Sequence, residues 1–153
     1  MGIKKLDSQL QILLQYIEAG DKKNTAVSQA GTYWHVEHCL KILDGIVTVL
    51  EKSSPADYKP KFSFLKFFIM NTGYIPRGKA RAPKETVPES VSSKSTLIAM
   101  QEQVRLQLLK INALPANSCF KHPFFGWLNK KETVKFMGIH TKHHLKIMSD
   151  IKG

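Results

Sequence analysis

The first twenty residues carry an apolar pattern with helical spacing. The apolar positions are Leu6, Leu10, Leu13, Leu14 and Ile17. Repeats of three and four residues predict an amphipathic helix. Asp7 or Ser8 stands where a cap is expected, and Gly20 stands where a helix often ends.

A second helical pattern covers about residues 28–52. Its apolar face consists of Val36, Cys39, Leu43, Ile46 and Leu50. Its polar face consists of Glu37, Lys41, Asp44, Thr48 and Glu51. Gly31 is a poor residue for a helix interior, so the pattern leaves the start of this helix loosely defined.

Prolines interrupt the helical pattern over residues 53–92, which predicts a long crossover connection. Within it, the apolar segment FSFLKFFIM at 62–70 predicts a short helix that packs over one end of the longer helices. The basic segment IPRGKARAPKE at 75–85 has two interpretations. It is either a lid that attracts an anionic ligand through Arg77, Lys79 and Arg81, or an exposed loop, and we favour the loop.

A third helix is predicted over residues 93–114. Its inward positions are Leu97, Val104, Leu108 and Ile111, and Pro115 ends it. The segment NSCFKHPFFGWLN at 117–129 then predicts a loop whose aromatic residues plug the end of the helices. We favour this structural role over one for His122 as a ligand or an acid.

The last helix is predicted over residues 130–152. Asn129 and Glu132 have the spacing of a capping box. Its inward stripe contains Met137, Thr141, Met148 and Ile151. Four amphipathic helices with one long second connection predict an all-α fold, a four-helix bundle forming one domain over residues 1–153.

Composition adds limits to this prediction. With 153 residues, of which 42% are hydrophobic, the chain can bury a core without disulfides. Cys39 and Cys119 are too few for a disulfide framework, and we expect both to be reduced and partly buried. The sequence contains no apolar segment of signal-peptide or membrane-spanning type. We therefore expect a soluble, cytoplasmic protein without a membrane partner.

The net charge of +11 raises the question of nucleic-acid binding. Residues 1–53 are neutral, so the excess lies in the crossover and in the last two helices. There it is spread singly along polar faces, as at Lys135, Lys142 and Lys146, without a recognition helix or an aromatic stacking motif. These features favour a solvated basic surface and no nucleic-acid partner.

Two histidines of the last helix have the spacing of metal ligands. His140 and His144 lie four residues apart within the inward stripe, so their rings can converge on one point between helices. Zinc proteases use this spacing with a glutamate in between. Here Thr141, Lys142 and His143 intervene, so no general base is built in, and His143 is expected at the rim.

The second helix offers two candidates for a third ligand. His35 lies near the centre of the apolar face, whereas His38 lies at its edge with Trp34. Periodicity alone therefore slightly prefers His35 as the inward residue. For either histidine, the structural alternative is a ring that packs against Trp34 and bonds a neighbour.

Three segments together resemble a known family: WHVEHC at 34–39, HPFFGWL at 122–128 and HTKHHL at 140–145. They resemble the DinB/YfiT-like superfamily, and within it a bacterial domain family marked by an HPxFG segment before a terminal HxxHHL helix. The resemblance covers nearly the whole chain. It includes the PRGKARAPKE segment, which is similar to versions from Bacteroidetes-type bacteria.

The resemblance implies an up-down-down-up bundle that binds a divalent metal, with zinc or nickel expected. It implies His38 as the ligand from the second helix and His140 and His144 as the pair from the last. His35 stays as the alternative ligand from the second helix, in place of His38. The implied function is a metal-dependent enzyme of thiol-transferase or hydrolase type that acts on a small molecule such as a thiol. A homodimer is also expected.

Two other functions stay open. The chain can be a non-catalytic bundle that keeps the histidines, holds no metal and binds a small molecule or a protein. The weaker alternative is a nucleic-acid binder that uses the basic crossover together with Lys130, Lys131 and Lys135. Bound metal separates the first function from the second, and the salt dependence of duplex binding tests the third.

Overall fold

The computed structural model describes residues 2–78, 82 and 84–153, and this part of the chain is mostly helical. Its α-helices are α1 Ile3–Ala19, α2 Thr32–Lys52, α3 Phe64–Thr72, α4 Lys94–Lys110 and α5 Lys130–Lys152. Its strands are β1 Cys119–His122 and β2 Gly126–Asn129. The prediction of a helical class is confirmed, and the small sheet is a departure from it.

The four long helices share one apolar core. α2 packs against α1, α4 and α5, and α1 also packs against α4 and α5. Leu10, Leu40, Leu97 and Met137, one from each long helix, are fully buried within it. Burying these side chains stabilises each helix far more than its intrinsic propensity does. No helix within residues 2–78, 82 and 84–153 combines the length and the apolar character that a bilayer crossing requires.

The first helix begins earlier than its sequence pattern indicates. It starts at Ile3, so Asp7 and Ser8 lie inside the helix, and the prediction that either residue caps it is wrong. The end agrees with the prediction, because Gly20 follows the last helical residue with a φ of +87°. A positive φ is easily adopted by glycine, which has no Cβ.

The second helix begins at Thr32 rather than near residue 28, and its N-cap residue, Gly31, has no side chain that could bond the first turn. Asp21 supplies that bond from the preceding connection, and its Oδ1 accepts from the Tyr33 N–H at 3.1 Å. Glu37 lies on the predicted polar face of this helix, but that position does not face solvent. Glu37 is buried, and its carboxylate accepts from the Ser92 N–H at 3.0 Å.

The short helix in the crossover is confirmed, but its predicted packing is only partly correct. α3 contacts α5 and buries just two of its side chains, Ile69 and Met70. Most of its aromatic residues face solvent. α3 therefore does not bury its apolar segment over the end of the long helices.

Residues 117–129 form a β-hairpin where the sequence predicted a loop. β1 and β2 pair in antiparallel register, with Cys119 opposite Asn129 and His122 opposite Gly126. Four residues per strand are too few for a clear alternating pattern, which explains the missed prediction. Phe125 and Leu128 are buried, so the aromatic segment does cover part of the core as expected.

The start of α5 agrees closely with the prediction. Asn129 Oδ1 accepts from the Glu132 N–H, and the Glu132 carboxylate accepts from the Asn129 N–H. This reciprocal capping box satisfies two backbone donors that helix geometry leaves without partners. It fixes the first residue of α5, and hence where the histidines further along the helix stand.

Candidate metal centre

Three histidines from two helices meet between α2 and α5. His38, His140 and His144 each offer one ring nitrogen, and these nitrogens all lie within 4.8 Å of one another. His140 and His144 lie one turn apart on α5. The three residues that the sequence suggested as a set are therefore brought together by the fold.

The orientation of His38 is held from two sides. Its Nδ1 lies 2.9 Å from the carbonyl oxygen of Thr86, in the crossover. A carbonyl only accepts, so Nδ1 carries the proton, and Nε2 of the neutral ring is left with a lone pair. The indole of Trp34 stacks on the ring, with the two planes 13° apart. His38 is thus fixed with its unprotonated nitrogen directed at the other two histidines.

His144 is held by a second histidine behind it. His144 Nδ1 lies 2.9 Å from His35 Nδ1, and His35 Nε2 lies 3.0 Å from the hydroxyl of Ser28. The Ser28 oxygen also accepts from the Ala30 N–H. If His144 Nδ1 donates to His35, then His35 Nε2 donates to Ser28, and His144 Nε2 keeps a lone pair for the cluster. Metal-binding histidines commonly have their second ring nitrogen held in this way.

His140 completes the cluster at a distance that suits a shared ion. His140 Nε2 lies 3.3 Å from His38 Nε2. Two nitrogens that bind one tetrahedral zinc ion at its usual bond length lie about 3.3 Å apart. His140 Nδ1 is buried and has no hydrogen-bond partner among the described residues. Of the three histidines, His140 is therefore the one whose second nitrogen is not held.

All three rings are neutral near pH 7. Burial, reinforced by the neighbouring imidazoles, lowers the pKa of His140 and of His144 well below the ordinary histidine value. Burial also lowers the pKa of His38, although its bond to the Thr86 backbone acts in the opposite direction. A neutral imidazole has a lone pair available, so a metal ion would not have to displace a proton.

The crossover lies against the cluster through several contacts. Besides the Thr86 carbonyl, the Ile75 backbone bonds His143. Arg77 forms an ion pair with Asp150 of α5 at 2.7 Å. These bonds attach the crossover to α2 and α5. Lys79 and Arg81, the other two cations of the predicted lid, lie outside the described residues.

The other histidines are not part of the triad. His35 is buried but stands behind His144, so periodicity identified an inward residue that is not one of the three converging rings. His143 is half-buried at the edge of the cluster, as expected. His122 Nδ1 accepts from the backbone N–H groups of Phe124 and Phe125, which gives it a structural role in the β-hairpin turn.

Two supporting residues were missed by the sequence analysis. Thr86 acts through a backbone carbonyl, which no side-chain pattern can reveal. Ser28 lies seven residues before its partner His35, in a connection without helical periodicity. Packing against Trp34 was expected as the structural alternative for either histidine, and the indole stacks on His38 and meets His35 edge-on.

Comparisons of this chain with protein-family models, with curated proteins and with solved structures found no match. What the site does is therefore argued from its own residues and their geometry.

Proposed function

We propose that this chain is a divalent-metal-dependent enzyme, with zinc or nickel held by His38, His140 and His144. The convergence of three ring nitrogens within 4.8 Å is the observation that carries the proposal. The distance between the two Nε2 atoms, the neutral state of the rings and the backbone bond to His38 support it. No carboxylate belongs to this cluster. Three neutral ligands would therefore leave the full positive charge of the ion available to polarise a bound thiol, water or electrophile.

A metal held by three imidazoles keeps an open position, where it can polarise an electrophile or lower the pKa of water or of a thiol. Around that position, the chain's own residues orient the ligands. Thr86 and Trp34 hold His38, and His35 holds His144. The crossover lies against the cluster through the Thr86 carbonyl. No described residue stands out as a dedicated acid or base, so in this proposal the metal alone would activate the thiol or the water.

In the proposed reaction, the thiol belongs to the substrate. Cys39 is fully buried in the core, and burial raises the pKa of its thiol well above the ordinary value. Cys119 is also buried, with a raised pKa. Neither side chain is a ready thiolate. A transferase of this kind would therefore take a low-molecular-weight thiol from solution.

The fold that we propose for this function is the DinB/YfiT-like bundle, with its four long helices in up-down-down-up order. Its support is the long connection between α2 and α4 and the contribution of ligands from α2 and α5 alone. A homodimer belongs to the same proposal. Sedimentation equilibrium of the purified protein tests it directly.

A second function has its own supporting observation. Without metal, the same rings can form two hydrogen-bonded chains, one from Thr86 through His38 to His140 and one from Ser28 through His35 to His144. These bonds satisfy most of the buried nitrogens. The cluster would then rigidify a bundle that binds a small molecule or a protein without catalysis.

Metal content decides between the two functions. We would purify the untagged protein without chelators and measure bound metal per chain by mass spectrometry. The test variant is His140→Ala with His144→Ala, and the matched control is His143→Ala, an adjacent histidine of the same helix. We expect close to one zinc or nickel in the wild type and the control, and none in the double variant.

A wild-type protein that takes up neither metal, even when each is added, would leave only the non-catalytic function. If metal binds as expected, the loaded protein is then screened with small thiols and electrophiles. Loss of turnover in the double variant, with retention in His143→Ala, would assign the activity to this site.

A further inference from the structure

Helix α3 turns an apolar face toward solvent. Phe64 is 74% exposed and Phe67 is 58% exposed, and Leu65 and Phe68 lie on the same side. Phe62, just before the helix, is 81% exposed. A surface helix of a globular protein normally presents its polar face outward. The first two turns of α3 have the reverse arrangement.

The charged residue of α3 lies on its inward side. Lys66 forms an ion pair with Glu132 of α5 at 2.8 Å, and its ammonium donates to the Trp127 carbonyl at 3.3 Å. Ile69 and Met70 are buried on the same side. These contacts hold α3 against α5 in one rotational position, so the phenyl rings cannot turn inward without breaking them.

Lysines border the exposed rings. Lys59 and Lys61 precede α3 and are exposed. Lys131 and Lys135 of α5 are also exposed, and they line a groove of about 430 Å³ that Phe62 and Phe67 share. Glu132, the carboxylate of this groove, is already paired with Lys66. The border of the aromatic face is therefore positively charged.

We propose that this surface binds the headgroup region of an anionic phospholipid bilayer. We call it the aromatic-basic surface, and it comprises Phe62, Phe64, Leu65, Phe67 and Phe68 with Lys59, Lys61, Lys131 and Lys135. The rings enter the boundary between headgroups and acyl chains, while the ammonium groups reach lipid phosphates. The high exposure of the rings suits insertion into a fluid phase.

Charge disfavours a second copy of the chain as the occupant. A two-fold dimer through this surface would place the same patch on both sides of the contact. The lysines of each copy would then face the lysines of the other, and juxtaposed like charges oppose association. An anionic membrane has no such penalty, because each lysine near its surface strengthens binding.

This proposal differs from the expectation of no membrane partner, which came from the lack of a spanning segment. α3 has nine residues, so its length is about 13 Å. The apolar layer of a bilayer is about 30 Å thick. Binding at the surface does not require a helix to cross that layer, and needs only exposed apolar side chains with a basic border.

Vesicle flotation tests the proposal. The full chain is mixed with vesicles of phosphatidylcholine and phosphatidylglycerol, or of phosphatidylcholine alone. The test variant is Phe62→Ser, Phe64→Ser and Phe67→Ser. The matched control is Leu106→Ser and Leu109→Ser, two exposed residues of α4, a helix that packs mainly on α1 and α2. Circular dichroism checks that both variants fold.

We expect the wild type and the control to float with the anionic vesicles and not with the neutral ones. The phenylalanine variant should bind at least tenfold more weakly, because it loses three inserted rings. Lys59→Gln and Lys61→Gln should each weaken binding about fivefold. Added salt should weaken wild-type binding as well.

Two results would overturn the proposal. The first is a wild-type protein that does not float with anionic vesicles at low salt. The second is a wild-type dimer in sedimentation equilibrium that the phenylalanine variant makes monomeric, with vesicle binding equal in both proteins. That result would assign the surface to a second copy of the chain.

Discussion

His38 Nε2 lies 3.3 Å from His140 Nε2, although the two residues are 102 positions apart in the chain. The Thr86 carbonyl bonds the other nitrogen of His38, which leaves its Nε2 unprotonated. His140 Nε2 can therefore interact with His38 Nε2 in only two ways. It either donates a hydrogen bond to that nitrogen or binds the same cation.

Added zinc should stabilise the wild-type protein against heat. A ligand that binds only the folded state at a hundred times its Kd adds about 2.7 kcal/mol to the free energy of unfolding. We expect a rise in Tm on zinc addition for the wild type and for His143→Ala, and none for His38→Ala. Differential scanning calorimetry measures the change. An equal rise in His38→Ala would remove His38 from the site.

Replacing His35 should weaken metal binding without abolishing it. His35 bonds His144 at 2.9 Å and lies behind it, so His35→Ala removes a support and leaves the three converging rings. Loss of such a support typically lowers metal affinity about 10- to 100-fold. Competition with a fluorescent chelator measures the affinity, with His143→Ala as the control. Loss of stoichiometric binding in His35→Ala would instead make His35 a direct ligand.

The stability of the metal-free protein should fall in mild acid through His122. Burial lowers the pKa of His122 to about 4 from its ordinary value of 6.5. Because the folded-state pKa is the lower one, His122 contributes stability above about pH 6.5 and loses it as the pH falls toward about 4. The loss amounts to at most about 3.4 kcal/mol.

His122→Asn isolates this contribution. Its side-chain oxygen can still accept from the backbone N–H groups of Phe124 and Phe125, but asparagine does not titrate. We expect the free energy of unfolding in urea to depend less steeply on pH in the variant than in the wild type over that range. Other acid-sensitive groups contribute equally to both proteins, so their contributions cancel in the comparison. Identical pH dependence in the two proteins would refute this account of His122.

Removing the carboxylate of Asp21 should destabilise the start of α2. Its Oδ1 accepts from the Tyr33 N–H at 3.1 Å and from the Thr32 hydroxyl at 3.4 Å, and so replaces the cap that Gly31 lacks. Asp21→Ala should lower the free energy of unfolding by about 1–2 kcal/mol. Asp7→Ala, at an exposed position inside α1, is the control and should change it by less than about 0.5 kcal/mol. Urea titration measures both, and equal effects would show that the cap contributes nothing.

Much of the helical layout follows from local patterns in the sequence. The positions predicted to face inward in the third long helix, namely Leu97, Val104, Leu108 and Ile111, are all buried, although Ile111 lies one residue beyond the end of α4. The capping box at Asn129 and Glu132 forms as predicted. The β-hairpin and the true start of α1 were not predicted. Short strands give little periodic signal, and the start of α1 lacks a capping side chain.

Local patterns did not identify the candidate metal ligand from α2. Periodicity preferred His35 over His38, and both side chains are in fact buried. A helical wheel gives the direction of a side chain only relative to its own helix. Both histidines reach α5, and which of them joins the converging rings depends on how α2 is rotated and inclined against that helix. Only the resemblance to a family, and not the wheel, indicated His38.

The sequence by itself determined where the four long helices run to within a few residues, where their main apolar faces lie, and that His140 and His144 lie on one face of α5. These properties depend on spacing within a single element. The tertiary structure decided that His38 meets this pair, that His35 stands behind His144, and that the Thr86 carbonyl orients His38. It also decided that α3 docks through Lys66 and leaves its phenyl rings exposed. These relationships join residues far apart in the chain, so they follow only from how the elements pack against one another.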